Sequence, residues 1–306
     1  LDPDRFLAGT MELQPQAARD AIDTQIARPL NLSVEAAAAG IYDVLLAKTV
    51  GAVRQITVER GHDPNGFSLL AFGGAGPLLA PLLAREMGIR EVVVPFAPSG
   101  FSAWGMLSAD IVDDFARTVM TTLDDADLDE LERLFKTVEA EAVDSLRAQG
   151  VTVEQTLLQR QFELRYLGQE HTLMVTVGHD LDPAAIRAAF EEQHRARYGH
   201  VMENRLQILN LRVRGIGRTQ RPELVVLPRG DGDPSRALIG RREAYDFGSR
   251  SVVPFTVYDR SRLAPGDSFA GPALIDEGTS TTVVPSGQRA EVDPHGYLLV
   301  TLEEDA

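Results

Sequence analysis

Cysteine is absent from all 306 residues, which excludes disulfide staples, thiolate nucleophiles and zinc sites built on sulfur. That profile suits the cytosol, where the chain is expected to work. Positive charge is scarce too. Thirty basic residues face 45 acidic ones, and the net charge of −15 repels phosphate backbones and anionic lipid, so nucleic acid is not an expected partner. No uninterrupted apolar run approaches the roughly 20 residues that span a bilayer. Asp2-Pro3-Asp4-Arg5 stands where a signal peptide would be building its apolar segment, and no membrane partner is expected. Internal repeats and low-complexity tracts are also missing. The first residue is not methionine, and the opening reads as a loop entering a domain, so the sequence is read as part of a longer protein.

What is present is a globular composition, 44% hydrophobic and 25% charged, enough for one large domain or two smaller ones. Residues 33–60 read as a helix capped by Ser33, with Glu35 suited to its N-terminal dipole and Ile41, Leu45, Ala52 and Ile56 on one face; Gly61 ends it. An apolar run from Phe67 to Phe72 then leads into Gly73-Gly74-Ala75-Gly76-Pro77, a helix to Met87 and a second strand from Glu91 to Pro95. Two apolar strands joined by a crossover helix are expected to lie parallel, which makes the first part α/β.

The pattern changes near Asp124. Asp127 and Glu130 cap a helix striped by Leu128, Leu131, Phe135, Val138, Ala142 and Leu146. Alternation about Phe162–Tyr166 and Leu173–Val177 predicts two strands around Gly168. Asp182-Pro183 opens a helix with Ile186, Phe190 and His194 on one face, succeeded by a strand at 206–213. Pro, Gly and Asp between 222 and 240 suggest a loop, and short strands are expected at 251–258, 273–276, 281–284 and 297–302. The chain is therefore divided into residues 1–122 and 123–306, the second part being α+β and strand-rich.

The Phe72–Pro77 turn lies between a strand and a helix, where its backbone can approach a ligand and the helix offers free N–H donors. A tight turn with no ligand fits equally well. Pro81 suggests that the regular helix starts near Ala80, since an interior proline costs about 3 kcal/mol. Neither common nucleotide motif fits. No Gly-Lys-Ser/Thr is present, the third glycine of a dinucleotide loop is replaced by Leu79, and the next strand ends in Val94-Pro95-Phe96 rather than an acid.

The stretch FGGAGPLLAPLLAREMGIREVVVPFAPSGFSAWGMLSAD, Phe72–Asp110, resembles the signature of the hydantoinase A and 5-oxoprolinase family, which includes acetone and acetophenone carboxylase subunits and N-methylhydantoinases. Val58–Pro64, Arg165-Tyr166-Leu167-Gly168-Gln169, His194 with Tyr198-Gly199, Gly271–Ile275 and Thr281–Pro285 resemble the same family, so the likeness spans nearly the whole chain. It implies an actin-like ATPase fold of the sugar kinase and Hsp70 type, continued by the α+β C-terminal domain. Gly73, Gly74, Ala75 and Gly76 would then hold the adenosine side of ATP, while two phosphate loops of the type Asp-x-Gly-Gly-Thr, with Mg2+, lie upstream of Leu1 and are not in this chain. Because positioning and charge neutralisation supply nearly all catalysis of phosphoryl transfer, the isolated chain is expected to be inactive. Many relatives carry histidine where this chain has Leu79.

The family resemblance implies an ATP-dependent hydrolase of cyclic amides, with a ketone carboxylase subunit or a non-catalytic partner-binding scaffold as alternatives, and a hydantoinase B-type partner in a hetero-oligomer. Catalytic residues are expected upstream. Arg165, Gln169 and Ser102 are candidates for substrate or interdomain contact, although Arg165 would also fall on the polar face of a strand. His171, His179, His194 and His200 match no metal-ligand spacing, and His194 fits better as a buried histidine bonded to backbone or carboxylate. Asp110, Asp113 and Asp114 could approach magnesium or form an ordinary acidic loop. Asp276 and Glu277 are adjacent in a strand and should face opposite ways. No histidine lies near Ser99, Ser102 or Ser108, so no serine nucleophile is supported.

Overall fold

A computed structural model describes residues 2–302. The chain forms two compact units, Leu1–Met106 with Glu223–Ala306, and Leu107–Pro222; residue 1 and residues 303–306 lie outside the described part. The division therefore differs from the expected break at 122/123. The reason is strand pairing: residues 111–122, counted with the first part, form a long strand of the second unit's sheet, while the C-terminal strands, counted with the second part, pair back onto the first.

The first unit opens with the short helices α1 (Pro15–Ile22) and α2 (Arg28–Leu30) and the long helix α3 (Val34–Ile56). Ser33 caps α3 by accepting a hydrogen bond from the Ala36 N–H at 3.1 Å. β1 (Leu69–Leu70), α4 (Gly76–Met87) and β2 (Glu91–Val94) then form the expected parallel pair, with Leu69 opposite Val92. α4 starts at Gly76 and runs through Pro81, so the irregular entry expected before Ala80 does not occur. Pro81 is buried in the core, and Gln288 Nε2 donates to its carbonyl at 2.9 Å; tertiary packing offsets the missing N–H. α5 (Phe101–Leu107) closes this stretch.

In the second unit, β3 (Ile111–Thr122), α6 (Leu128–Ala148), β4 (Thr156–Tyr166), β5 (Leu173–Val177), α7 (Pro183–Tyr198) and β6 (Leu206–Gly217) build an antiparallel sheet in the order β3-β6-β4-β5. Asp127 caps α6 through the Glu130 N–H at 3.1 Å, and Leu131, Phe135, Val138 and Ala142 enter the core with Phe162, Leu164, Tyr166 and Phe190. Each such large side chain contributes about 1.5–3 kcal/mol when fully buried. Arg160 sits beside this core, its side chain 3% exposed, forking to Glu139 at 2.7 Å and Glu132 at 2.5 Å over the Phe135 ring.

The chain then returns to the first unit. β7 (Leu238–Asp246), β8 (Ser251–Asp259), β9 (Ser268–Ala270), β10 (Ala273–Asp276), β11 (Thr281–Val284), β12 (Gln288–Val292) and β13 (Leu298–Leu302) complete two sheets, β1-β2-β13-β12-β9 and β11-β10-β8-β7. β7 occupies part of the segment expected as a loop. Val92, Val94, Ala290, Leu298 and Val300 meet Ala80 and Ala84 of α4 in the core.

The apolar face of α3 points outward. Val50 and Val53 pack against the core, but Ile41, Val44, Leu45 and Ile56 are 44–59% exposed. Among the described residues, the span Val34–Arg60 is the one helix long and apolar enough to cross a membrane by length and composition, with Asp43 and Lys48 near its middle.

Replacing Arg160 by alanine strands two part-buried carboxylates and should lower the unfolding free energy by about 3–5 kcal/mol, read as a lower urea midpoint. The Arg160 hydrogen bond holds the Glu132 carboxyl below its ordinary value of 4.5. A depressed acid stabilises above its unfolded pKa and loses that stabilisation as pH falls through the folded one. The difference in midpoint between the two proteins should therefore be full at pH 7 and narrow below 4.5.

Candidate active-site cavity

A cavity of about 730 Å³ in the first unit is walled by the glycine turn at Gly74 and Ala75, by Leu78 of α4, by the segment Asp2–Leu7, by Ile239–Arg242 of β7, and by the hairpin at Asp276 and Gly278–Thr281. Its wall combines Phe6, Leu7, Leu78, Val257 and Leu274 with three arginines, three hydroxyls and the carboxylates of Asp2, Asp4 and Asp276, a mixture of apolar surface and polar groups that can orient a small molecule.

Each wall is held in place. Gly73 adopts φ +81° and donates its N–H to the Pro98 carbonyl at 2.7 Å, which points the next residues into the cavity. At Gly74 an added Cβ would have no heavy atom within 4 Å, whereas at Gly76 it would lie 3.4 Å from the Ala71 carbonyl carbon. Ser99 and Thr279 hydroxyls are 2.6 Å apart, tying the turn after β2 to the hairpin. The N-terminal segment is fastened by the Ala8 N–H to the Gly278 carbonyl at 2.8 Å and by Arg5 to Asp276 at 2.9 Å. Arg242 approaches Asp2 at 3.7 Å. Tyr42 of α3 rests behind Leu78, its ring tilted against Phe247 with centroids 4.6 Å apart, and its burial pushes the phenol up to about 12.

Asp276 and Glu277 do face opposite ways. Asp276 lines the cavity, while Glu277 turns inward to accept from Ser280 at 3.1 Å and Thr282 at 3.0 Å. Burial raises the Glu277 carboxyl above its usual range, against the pull of Arg260 and the two hydroxyls. Burial also lowers Arg260, to about 10. Its Nη2 donates to the Gly296 carbonyl at 2.6 Å, and its Nη1 is buried with no hydrogen-bond partner. The Ser280 and Thr282 hydroxyls on Glu277 brace the hairpin from behind.

Of the residues singled out from sequence, Gly74 and Ala75 line the cavity, and Gly73 and Gly76 flank them as conformational supports. Ser102 lies exposed on α5 and is not among the lining residues. Arg165 and Gln169 belong to the second unit: Arg165 Nε donates to Gln207 Oε1 at 3.0 Å, and Gln169 Nε2 lies 3.3 Å from the Met202 sulfur and 3.5 Å from His194 Nε2. His194 is buried, with Nδ1 2.7 Å from the His200 carbonyl, the structural role expected of it. Asp113 and Asp114 project from opposite faces of β3. Asp113 accepts from Ser145 and Gln149 at 2.6 and 2.7 Å, Asp114 binds Arg214 at 2.9 Å, and Asp110 takes the Thr219 N–H at 3.2 Å. These partners occupy the carboxylates that could have approached magnesium. Sequence reasoning missed Arg5, which lies in the opening segment read as a loop, and Arg241 and Arg242, which lie between the expected loop at 222–240 and the expected strand at 251–258; none of the three carries a local motif.

Comparison with known proteins places the chain. The hydantoinase/oxoprolinase family pattern matches residues 1–115, and the hydantoinase/oxoprolinase C-terminal domain matches residues 121–303. Caprolactamase subunit alpha of Pseudomonas jessenii is 33% identical over 97% of this chain and 44% of its own length. The crystal structure of the ATP-dependent caprolactamase from that organism superimposes with a TM-score of 0.77 at 32% identity, over 99% of this chain and 45% of the other. A nucleotide-free acetone carboxylase gives a TM-score of 0.82 at 27% identity, over 99% and 45%. 5-Oxoprolinase 1 of Arabidopsis thaliana is 30% identical over 89% of this chain and 22% of its own length. The chain thus spans less than half the length of these relatives.

Gly73→Ala forces a side chain into the left-handed region and should cost about 1–2 kcal/mol, seen as a lower melting temperature. Gly74→Ala has space and ordinary geometry and should stay within about 0.5 kcal/mol of the unaltered protein.

Proposed function

The chain belongs to the hydantoinase/oxoprolinase family, and from that premise we propose that it is part of an ATP-dependent subunit that opens cyclic amides, with the adenosine side of ATP held in the cavity beside Gly74 and Ala75. The observation that carries this reading is the position of the glycine turn. Within a family whose relatives include an ATP-dependent amide hydrolase, the turn suited to close backbone approach forms a wall of a cavity of nucleotide size.

Gly74 offers a surface without a side chain for a ribose or base to lie against, and Leu78, Val257 and Leu274 supply the apolar walls that keep water off it. Ser99, Thr279 and the Arg5–Asp276 pair hold the rim. In this reading the phosphates and Mg2+ are gripped by loops of the longer protein, and its ATPase domain has the actin-like fold. Bound ATP would supply its γ-phosphoryl group to the amide oxygen with release of ADP, making the carbonyl a better electrophile, and attack of water would open the ring and release inorganic phosphate. A B-type subunit completes the hydrolysis, and the assembly works in the cytoplasm.

A second reading, an ATP-dependent ketone carboxylase subunit, is favoured by the higher TM-score with acetone carboxylase, 0.82 against 0.77; the hydrolase reading rests on the higher identity with caprolactamase, 32% against 27%.

Calorimetric titration of ATP and ADP with magnesium into the natural-length protein tests the site. Both nucleotides should bind, and Gly74→Val, which meets no atom within 4 Å at its Cβ, should weaken binding about 100-fold, or roughly 2.7 kcal/mol, while leaving the unfolding midpoint unchanged. Absence of nucleotide binding would leave a partner-binding scaffold as the better reading. ATP hydrolysis stimulated by a five- or seven-membered lactam supports the hydrolase; stimulation only by a ketone with bicarbonate supports the carboxylase.

A further inference from the structure

We infer that the outward apolar stripe of α3 is an internal interface, covered in the natural protein by the part of the subunit that the 306 residues do not include. The inference rests on the proposed function only in taking the chain as part of a larger subunit; it does not depend on what the cavity binds.

Two independent features mark the surface as unfinished. The first is α3 itself. Ile41, Val44, Leu45 and Ile56 keep to helical spacing, which is the mark of a face built for burial, yet each is 44–59% exposed. Its other face is already used: Val50 and Val53 pack into the core, and Tyr42 packs against Phe247. A helix committed on one side and apolar on the other belongs between two layers. The second is β1. It is an edge strand in parallel pairing with β2, its Leu70 is 44% exposed, and parallel strands are ordinarily covered and flanked. Leu69 of β1 enters the same core as Val50 and Val53 of α3, so both features border one core.

The occupant is set by size and charge. The caprolactamase alpha subunit aligns over 97% of this chain but devotes only 44% of its own length to it, so on the proposed reading a polypeptide of more than equal size belongs to the same subunit and is available to cover this face. A second copy would bring together two chains of net charge −15, which repel. A bilayer would require α3 to be surrounded by lipid, but Val50, Val53 and Tyr42 bind it to the unit, and Asp43 pairs with Arg250 at 3.2 Å.

The absence of cysteine makes the test direct. Val44→Cys is placed in the 306-residue chain and in the natural-length protein, with Glu203→Cys, exposed in the second unit, as reference, and thiol labelling is followed by mass spectrometry. Val44→Cys should react freely in the shorter chain and at least about ten-fold more slowly in the natural-length protein, the mark of a buried site. Leu45→Glu should leave the melting temperature of the shorter chain unchanged and lower that of the natural-length protein by several degrees. Equal labelling in both proteins overturns the inference. So does protection of the shorter chain that grows with its own concentration, or protection that appears only with phospholipid vesicles. A protein that binds no ATP but shows the labelling difference would refute the proposed activity and leave this interface standing.

Discussion

Val92 and Val94 of β2 lie beside Val300 and Leu298 of β13, and the first unit depends on that antiparallel pairing of strands from opposite ends of the chain. Closing so large a loop is less costly than its length suggests, because the entropic penalty grows only with the logarithm of loop size. The return is a shared core in which α4 covers strands from both ends of the chain. Without the C-terminal strands, β1 and β2 would form a two-stranded sheet, which is marginal in water. The second unit can occupy the intervening sequence because its own strands and helices bury one another.

The cavity is a product of the same closure. Its glycine wall comes from the strand–turn–helix segment, its hairpin from β10 and β11, and its arginines from β7 and the opening loop. None of these elements makes a pocket alone. The Gly73–Pro98 and Ser99–Thr279 hydrogen bonds hold the walls in register, and Glu277, accepting from Ser280 and Thr282, braces the hairpin from behind. Groups that must line a binding site are thus positioned by interactions behind it, which is how a preorganised site avoids an ordering cost when its ligand arrives.

The outward face of α3 shows how far a local pattern can be trusted. Helical spacing of Ile41, Leu45, Ala52 and Ile56 correctly identified an amphipathic helix, and the structure placed the opposite face, with Val50 and Val53, against the core. Periodicity records that a face is built for burial; it does not say which partner buries it. The same limit explains β3, whose Asp113 and Asp114 read as an acidic loop. Their strand exists because its backbone pairs with β6, and Arg214 of β6 and Ser145 of α6 then meet the two carboxylates on opposite faces.

The sequence by itself determined the local units: the caps at Ser33 and Asp127, the α6 stripe, the parallel β1–α4–β2 unit, the strands about Gly168, the buried role of His194 and the glycine turn. Each is set by residues within a few turns or one hairpin, and capping, periodicity and turn chemistry act over that range. It also carried the family resemblance. Tertiary structure alone decided that Pro81 stays helical, that the C-terminal strands return to β2, that Arg165 and Gln169 are engaged within the second unit, and that Arg5, Arg241 and Arg242 meet Gly74 across one cavity. Those outcomes depend on contacts between residues far apart in the chain, where the gain from burying a shared core outweighs local preference.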